Sequence, residues 1–311
     1  RISNKWVSIM TEKLTLPYHN MGLLEFQNRF PDNRDCYEYL KMIRFPTQFT
    51  CSRCGATDSC WVATRGLWQC NQCRKQVSLT SGTMFHRTRT PLRYWFWAIF
   101  LVSKDKRGHS ALQLSKELNI PYDRSWLIMH KIRAAMAHRG HEYTLQGSVE
   151  IDEAYFGSPD VGQRGRGTQR AKTLVAVSLT AERKPKYVKM KIIKRLDARC
   201  IKSFAKSNIY KGSTVYTDGL HAYSCLSKMG YVHIPTVAPG KTADDVLHWV
   251  HIIISNTKAF ITGTFHGLDE KHLQQYLDEF CYRFNRRQYE QELFDHLLLA
   301  CAEAPPLTYA E

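Results

Sequence analysis

Four cysteines carry the strongest chemical signal in this sequence: Cys51 and Cys54, then Cys70 and Cys73, two C-x2-C pairs with fifteen residues between them. Each pair closes a knuckle that presents two thiolates to one ion, and two knuckles complete the tetrahedral site that zinc prefers. The spacing fits the zinc template C-x2-C-x15–20-C-x2-C. With four protein ligands no coordination position is left open, so the ion orders about thirty residues that have no apolar core of their own. Gly55, directly after the second cysteine, supplies the left-handed turn that a knuckle needs. Cys36, Cys60, Cys200, Cys225, Cys281 and Cys301 have no comparable spacing and read as small apolar side chains.

Two acids are the second signal. VEIDEAYFG sets Val149, Ile151 and Ala154 on alternation with Asp152 opposite, in a strand that otherwise reads as buried. TVYTDG sets Asp218 where a second strand meets a glycine turn, 66 residues later. A carboxylate in a central strand costs free energy unless a cation pairs with it. Two acids on neighbouring strands can share divalent ions, and their hard oxygens suit magnesium. Paired magnesium ions promote in-line phosphoryl transfer by activating the attacking oxygen and stabilising the leaving one.

Several elements must position these residues. At about 150 residues per domain, 311 residues predict two domains. The formal charge of +16 predicts attraction to polyanions, nucleic acid first. No apolar run approaches the ~20 residues of a spanning helix, and no basic-then-apolar leader opens the sequence, so a reducing cytoplasmic setting is expected, close to the nucleoid. Residues 34–44 and 92–102 read as helices, the second aromatic-rich. SALQLSKELNIPYDRSWLIMHKIRAAM (110–136) reads as helix, turn, helix, with Asp123 or Ser125 capping the second helix and Arg124, Lys131 and Arg133 facing a DNA groove. From Val149 the pattern turns to strands, and from His248 it returns to helix. The predicted class is α+β. The expected segments are an N-terminal helical stretch (1–45), a zinc ribbon (46–82), a helix-turn-helix-like region (83–145), a catalytic domain (146–300) and a tail (301–311).

TSGTMFHRTRTPLRYWF after the ribbon, VEIDEAYFG, VYTDGLHAY, and the stretch from His251 through GTFHG to YLDEFCYRFNRR stand in an order that resembles one bacterial insertion-sequence transposase family, the family numbered fifteen ninety-five. The resemblance runs from about Asp35 to Arg287. It implies an N-terminal zinc ribbon, an RNase H-like mixed sheet flanked by helices, and DDE chemistry. In that chemistry two Asp and a third ligand hold two magnesium (or manganese) ions, water nicks DNA at the terminal inverted repeats, and the freed 3′-hydroxyl attacks target DNA. A homodimer or higher synaptic assembly is expected from the family.

On this resemblance Asp152 and Asp218 are the first two ligands. The third position departs from the usual pattern, because no Glu occurs between His248 and Thr264. If Lys258 is the lysine that follows the third ligand by seven residues, that ligand is His251, two helical turns earlier on the same face. Asn256 is the alternative, and its amide oxygen suits magnesium better than imidazole does. Asp244 and Asp245 are outside choices. Lys258 would meet a phosphate near the cut, and Arg164, Arg166 and Arg170 in the Gly/Arg-rich loop would grip the backbone, as would Arg283, Arg286 and Arg287. Two other functions fit the same residues: a DNA-binding regulator that has lost catalysis, and an RNase H-like nuclease that does not join strands.

Overall fold

Asp32 starts the first long helix by accepting the backbone N–H groups of Arg34 and Asp35 at 2.7 and 3.1 Å, a cap that satisfies donors the helix cannot. In the computed structural model, which describes residues 21–157, 170–236, 247–265 and 268–307, this is α2 (Asn33–Arg44), preceded by α1 (Leu23–Arg29). The chain divides into two compact units. The first comprises Arg1–Asp105, Ala111–Ala135 and Tyr289–Glu311. Its centre is aromatic: α3 (Leu92–Lys104) brings Phe96 and Phe100 against Phe26, Phe30, Tyr39 and Phe294. Tyr39 donates its hydroxyl to buried Asp295 at 2.5 Å.

The ribbon belongs to this unit. Strands β1 (Ser59–Val62), β2 (Leu67–Cys70) and β3 (Gln76–Ser78) form an antiparallel sheet in that order, with Trp61 opposite Trp68. Helix α4 (Ala111–Leu118) and helix α5 (Tyr122–Gly140) are joined by a turn that Asn119 enters with φ of 50°. Ser115 closes the turn by donating to the Ile120 carbonyl at 2.7 Å. The helix-turn-helix spacing is therefore present. However, α5 begins at Tyr122, ahead of both residues expected to cap it. Its Ser125 is buried and donates to the Pro121 carbonyl.

The second unit comprises Lys106–Ser110 and Met136–Gln288. Its sheet has five strands, β4 (Ser148–Phe156), β5 (Ala171–Leu179), β6 (Pro185–Ile193), β7 (Thr214–Thr217) and β8 (Val232–Pro235), in the order β6-β5-β4-β7-β8. The β4–β5 and β5–β6 pairs are antiparallel, while β4–β7 and β7–β8 are parallel. This is the RNase H-like mixed sheet expected above. On one face, Ala154 and Phe156 of β4 pack with α7 (His248–Thr264) and α8 (Glu270–Asn285). On the other, Val149 and Ile151 pack with α6 (Ala198–Asn208) and the 3-10 stretch His221–Met229. Ala154 therefore shares a face with Asp152, not with Val149 and Ile151, as strict alternation requires. The last helix, α9 (Leu293–Glu303), lies in the first unit.

Candidate active site and zinc centre

The site follows from where strands stop. β4 pairs with β5 along its whole length, Ser148 to Phe156, but with β7 only from Ser148 to Glu150. Among the described residues, one edge of the central strand has no partner beyond Glu150, at the point where the order switches from antiparallel to parallel neighbours. Ligand sites in open sheets gather at such switch points, past the carboxyl ends of parallel strands. Asp152 and Glu153 sit on this free stretch, on opposite faces of β4, and Asp218 follows the last residue of β7. Carboxylate oxygens of Asp152, Glu153 and Asp218 all lie within 4.8 Å of one another. Side chains from both faces thus converge around an edge that a longer β7 would have filled.

Each carboxylate is held. The Glu153 backbone N–H donates to Asp152 Oδ1 at 2.8 Å, and His251 Nε2 lies 3.0 Å from Asp152 Oδ2. The Leu220 N–H reaches Asp218 Oδ1 at 3.1 Å, and the Tyr223 hydroxyl donates to Glu153 Oε2 at 3.5 Å. Burial raises the Asp152 carboxyl above its ordinary range and the Asp218 charge adds to this, while the Glu153 N–H and His251 oppose it. Tyr223 is pushed far upward by burial and by all three carboxylates. So much negative charge in a half-enclosed place attracts cations.

Helix α7 covers the Asp152 face of this edge. His251 and Lys258 both line a cleft of about 410 Å³ together with Asp152, Glu153, Ala154, Tyr155, Ile254 and Ser255. Asn256 is exposed and is not among those lining residues. The start of α7 is fixed from the sheet. The helix has no side-chain cap of its own; instead the Val250 N–H donates to the carboxylate of buried Glu150 at 2.9 Å. Trp249 Nε1 adds a bond to the Arg183 carbonyl at 2.6 Å. Glu150 lies two residues before Asp152 on the same face, so one strand carries both an acid of the cluster and the anchor of the helix above it.

Sequence reasoning missed Glu150 and Glu153. Alternation sends Glu153 to the far face from Asp152, and only the early end of β7 brings the two acids back together. The cationic residues also need sorting. Lys131 and Arg133 are buried, at 9% and 1% exposure, and Lys131 donates to the Met84 carbonyl. The expectation that they face a DNA groove is corrected: α5 is buried continuously from Ile128 to Arg133, so it offers no open face there. Arg124, in its first turn, is exposed. Arg170 is half-buried, whereas Arg164, Arg166, Asp244 and Asp245 lie outside the described residues. Arg283 is taken up by buried Glu279 at 2.8 and 3.0 Å, Arg286 lies over the Tyr282 ring, and Arg287 donates to the Phe284 and Lys186 carbonyls.

In the ribbon, the Sγ atoms of Cys51, Cys54, Cys70 and Cys73 all lie within 4.8 Å of one another. The Cys51–Cys73 and Cys54–Cys70 separations are 3.5 and 3.6 Å. Four sulfurs at about 2.3 Å from a tetrahedral zinc stand about 3.8 Å apart, so the set fits that ion. Backbone N–H groups of Arg53 and Cys54 lower the Cys51 thiol to about 6, favouring the thiolate that binds metal. Gly55 adopts φ of 73°, as the knuckle requires.

Among known proteins, residues 144–285 match the model of the ISXO2-like transposase domain, and residues 31–76 match that of the transposase zinc-ribbon domain. A protein in transposable element ISH50 of Halobacterium salinarum is 27% identical over 216 residues, covering 64% of this chain and 71% of the relative. A chain in the crystal structure of the Mos1 mariner paired end complex with Mn aligns over 70% of this chain and 81% of its own length, at 13% identity and a TM-score of 0.27.

Proposed function

We propose that this chain, which belongs to the zinc-ribbon transposases with an ISXO2-like catalytic domain, cuts DNA at the ends of a mobile element and joins the freed 3′-hydroxyl to target DNA at the Asp152–Glu153–Asp218 cluster. The convergence of those three carboxylates within 4.8 Å at an open strand edge carries the reading. Oxygens at that spacing suit magnesium, or manganese, after a small closing movement. Bound there, such ions supply an activated attacking oxygen and neutralise charge on the leaving one.

The chain's own groups do the rest. Asp152, Asp218 and Glu153 hold the ions. His251 fixes the second oxygen of Asp152 from above, and either it or Asn256 can complete the third position that sequence reasoning leaves open. Lys258, exposed on the wall of the cleft, meets a phosphate beside the cut. The ribbon (46–82) and the helix-turn-helix region (83–145) hold the terminal repeats. In that region Arg124 is the exposed member of the basic set, at the helix end from which such motifs read bases. Arg164, Arg166 and Arg170 grip the DNA backbone, and two subunits bring two ends together.

The test uses Asp152→Asn and Asp218→Asn. Each removes a metal-binding charge without touching the basic surface, so nicking and joining should vanish while DNA binding stays within about twofold. Cutting and joining at wild-type rates in both variants would refute the reading. A nuclease that does not transpose would yield nicked but never joined products. A regulator without catalysis would bind DNA and release no nicked product with any divalent ion.

A further inference from the structure

We propose that a second cleft, on the α6 face of β4, holds one unpaired nucleotide of the DNA strand next to the phosphate being cut; this rests on reading the carboxylate cluster as the cutting centre. The cleft is lined by Tyr155, Lys172, Arg195, Leu196, Asp197 and Leu220 and encloses about 340 Å³. That volume is in the range of pockets that take one small organic group.

Its walls combine an aromatic face with cations, the pairing that sites for single-stranded nucleic acid use. Tyr155, Leu196 and Leu220 offer an aromatic face and apolar edges. Lys172, the cross-strand partner of Tyr155, and Arg195 offer two cations. Among the described residues neither cation has a carboxylate within 4.0 Å; the Asp197 carboxylate, which caps α6 through the Cys200 N–H at 2.8 Å, feels the Arg195 charge from farther away. A free anion would need the charges but not the aromatic face; an apolar ligand would need the face but not the charges. A base on Tyr155 with its phosphate between Lys172 and Arg195 uses both.

Position ties this cleft to the carboxylates. Tyr155 lines both clefts, and Leu220 comes two residues after Asp218. A strand crossing the open edge of β4 with one phosphate at the acids therefore places neighbouring nucleotides on the two sides of β4, one under α7 and the other against Tyr155. At about 340 Å³ the second cleft has room for one base, which would have to leave its pairing partner to enter.

The experiment uses the full chain without added magnesium or manganese, so that binding is read apart from cutting. DNA junctions carry 2-aminopurine either unpaired or paired beside the cut position, and fluorescence and affinity are read together. Wild-type protein should quench the unpaired probe and bind that junction more tightly. Tyr155→Phe should keep both effects. Tyr155→Ala should lose the quench and weaken binding by about 5- to 150-fold, the range for one stacked base. Lys172→Gln and Arg195→Gln, each removing one charge while keeping a polar side chain, should each reduce the log–log salt slope by about one. They also test the cleft should Tyr155→Ala fail to fold. Equal binding of paired and unpaired junctions by wild-type protein would overturn the proposal, as would wild-type quench and salt slope in all the variants. Asp152→Asn separates the two readings: if it abolishes nicking yet keeps the quench, the cutting centre and the cleft both stand. If it abolishes nicking while no junction shows a Tyr155-dependent signal, the cleft alone falls. If it cuts as wild type does, the cutting centre falls.

Discussion

Replacing Glu150 should damage catalysis without touching any group that meets DNA. In the native chain its buried carboxylate is the side-chain cap of α7, accepting the Val250 N–H at 2.9 Å. Glu150→Ala removes that acceptor from a place that water does not replace. Losing a helix cap costs about 0.5–2 kcal/mol, and an unpaired buried N–H about 1–3 kcal/mol. These describe overlapping parts of one loss, so a net cost of about 2–3 kcal/mol is expected, or about 4–12 °C in Tm for a unit of this size. Glu150→Gln keeps an acceptor and sheds a charge whose burial is costly, so it should stay within about 1 kcal/mol of wild type. The shift in kcat is the sharper readout. His251 is the residue after Val250, and a displacement of about 1 Å at such a site can cost about 100-fold; the alanine variant should lose that much and the glutamine variant little. Hydrogen exchange at Trp249 and Val250 reports the cap directly, with protection lost in Ala and kept in Gln. Burial raises the Glu150 carboxyl above the ordinary glutamate range. The folded chain therefore holds this proton more tightly than the unfolded chain, and its contribution to stability falls as pH rises from the ordinary value through the raised one. Glu150→Gln should remove that slope. Wild-type protection and kcat in the alanine variant would refute the anchoring role.

Cys54→Ser or Cys73→Ser should release about one zinc per chain, measured by metal analysis, and unfold the ribbon, while nicking at high DNA concentration should survive better than binding to specific ends. Glu153→Gln, His251→Ala and Asn256→Ala, compared by calorimetric titration with magnesium and manganese, should rank the third ligand: the true one should weaken metal binding as much as Asp152→Asn does, and a ligating His251 should make manganese the stronger supporter of activity. Asp278, raised to about 6 by burial, binds its proton more tightly folded than unfolded, so it lowers stability as pH climbs from about 4 to 6. Asp278→Asn should leave stability near wild type at pH 4 and raise it by up to about 3 kcal/mol at pH 8, seen in denaturant melts; equal curves at both pH values would refute that burial penalty.

Local chemistry was legible in the sequence and long-range geometry was not. The cysteine knuckles needed only spacing, because four thiolates and one ion define their own shape. Asp152 and Asp218 could be singled out because strand context is a property of short segments, whereas His251 and Lys258 came from the family resemblance, with Asn256 standing beside His251. Lys131 and Arg133 misled because charge alone does not say which way a helix faces: α5 is buried from Ile128 to Arg133, and long cationic side chains can be buried when their heads find carbonyls, as Lys131 does at Met84. Glu153 was missed, and the rule that neighbouring residues in a strand point apart gives no reason to pair it with Asp152. That rule held; what it omitted was the length of β7.

The early end of β7 also accounts for the rest of the site. Had β7 continued to pair along β4 beyond Glu150, the edge beside Asp152 and Glu153 would carry backbone hydrogen bonds. Asp218 would then sit within a strand, its side chain committed to one face. Ending at Thr217 frees three acids to meet around an edge and leaves a cleft on each side of the sheet, one roofed by α7 and the other by the approach to α6. The same short pairing requires Glu150, the last β4 residue with a β7 partner, to secure α7 from below, because the helix has no cap of its own. Lengthening β7 by two residues is thus expected to abolish cutting as removing an acid does and, unlike Asp152→Asn, to abolish the Tyr155-dependent quench as well, because it would close both clefts at once while leaving the apolar core of each face intact.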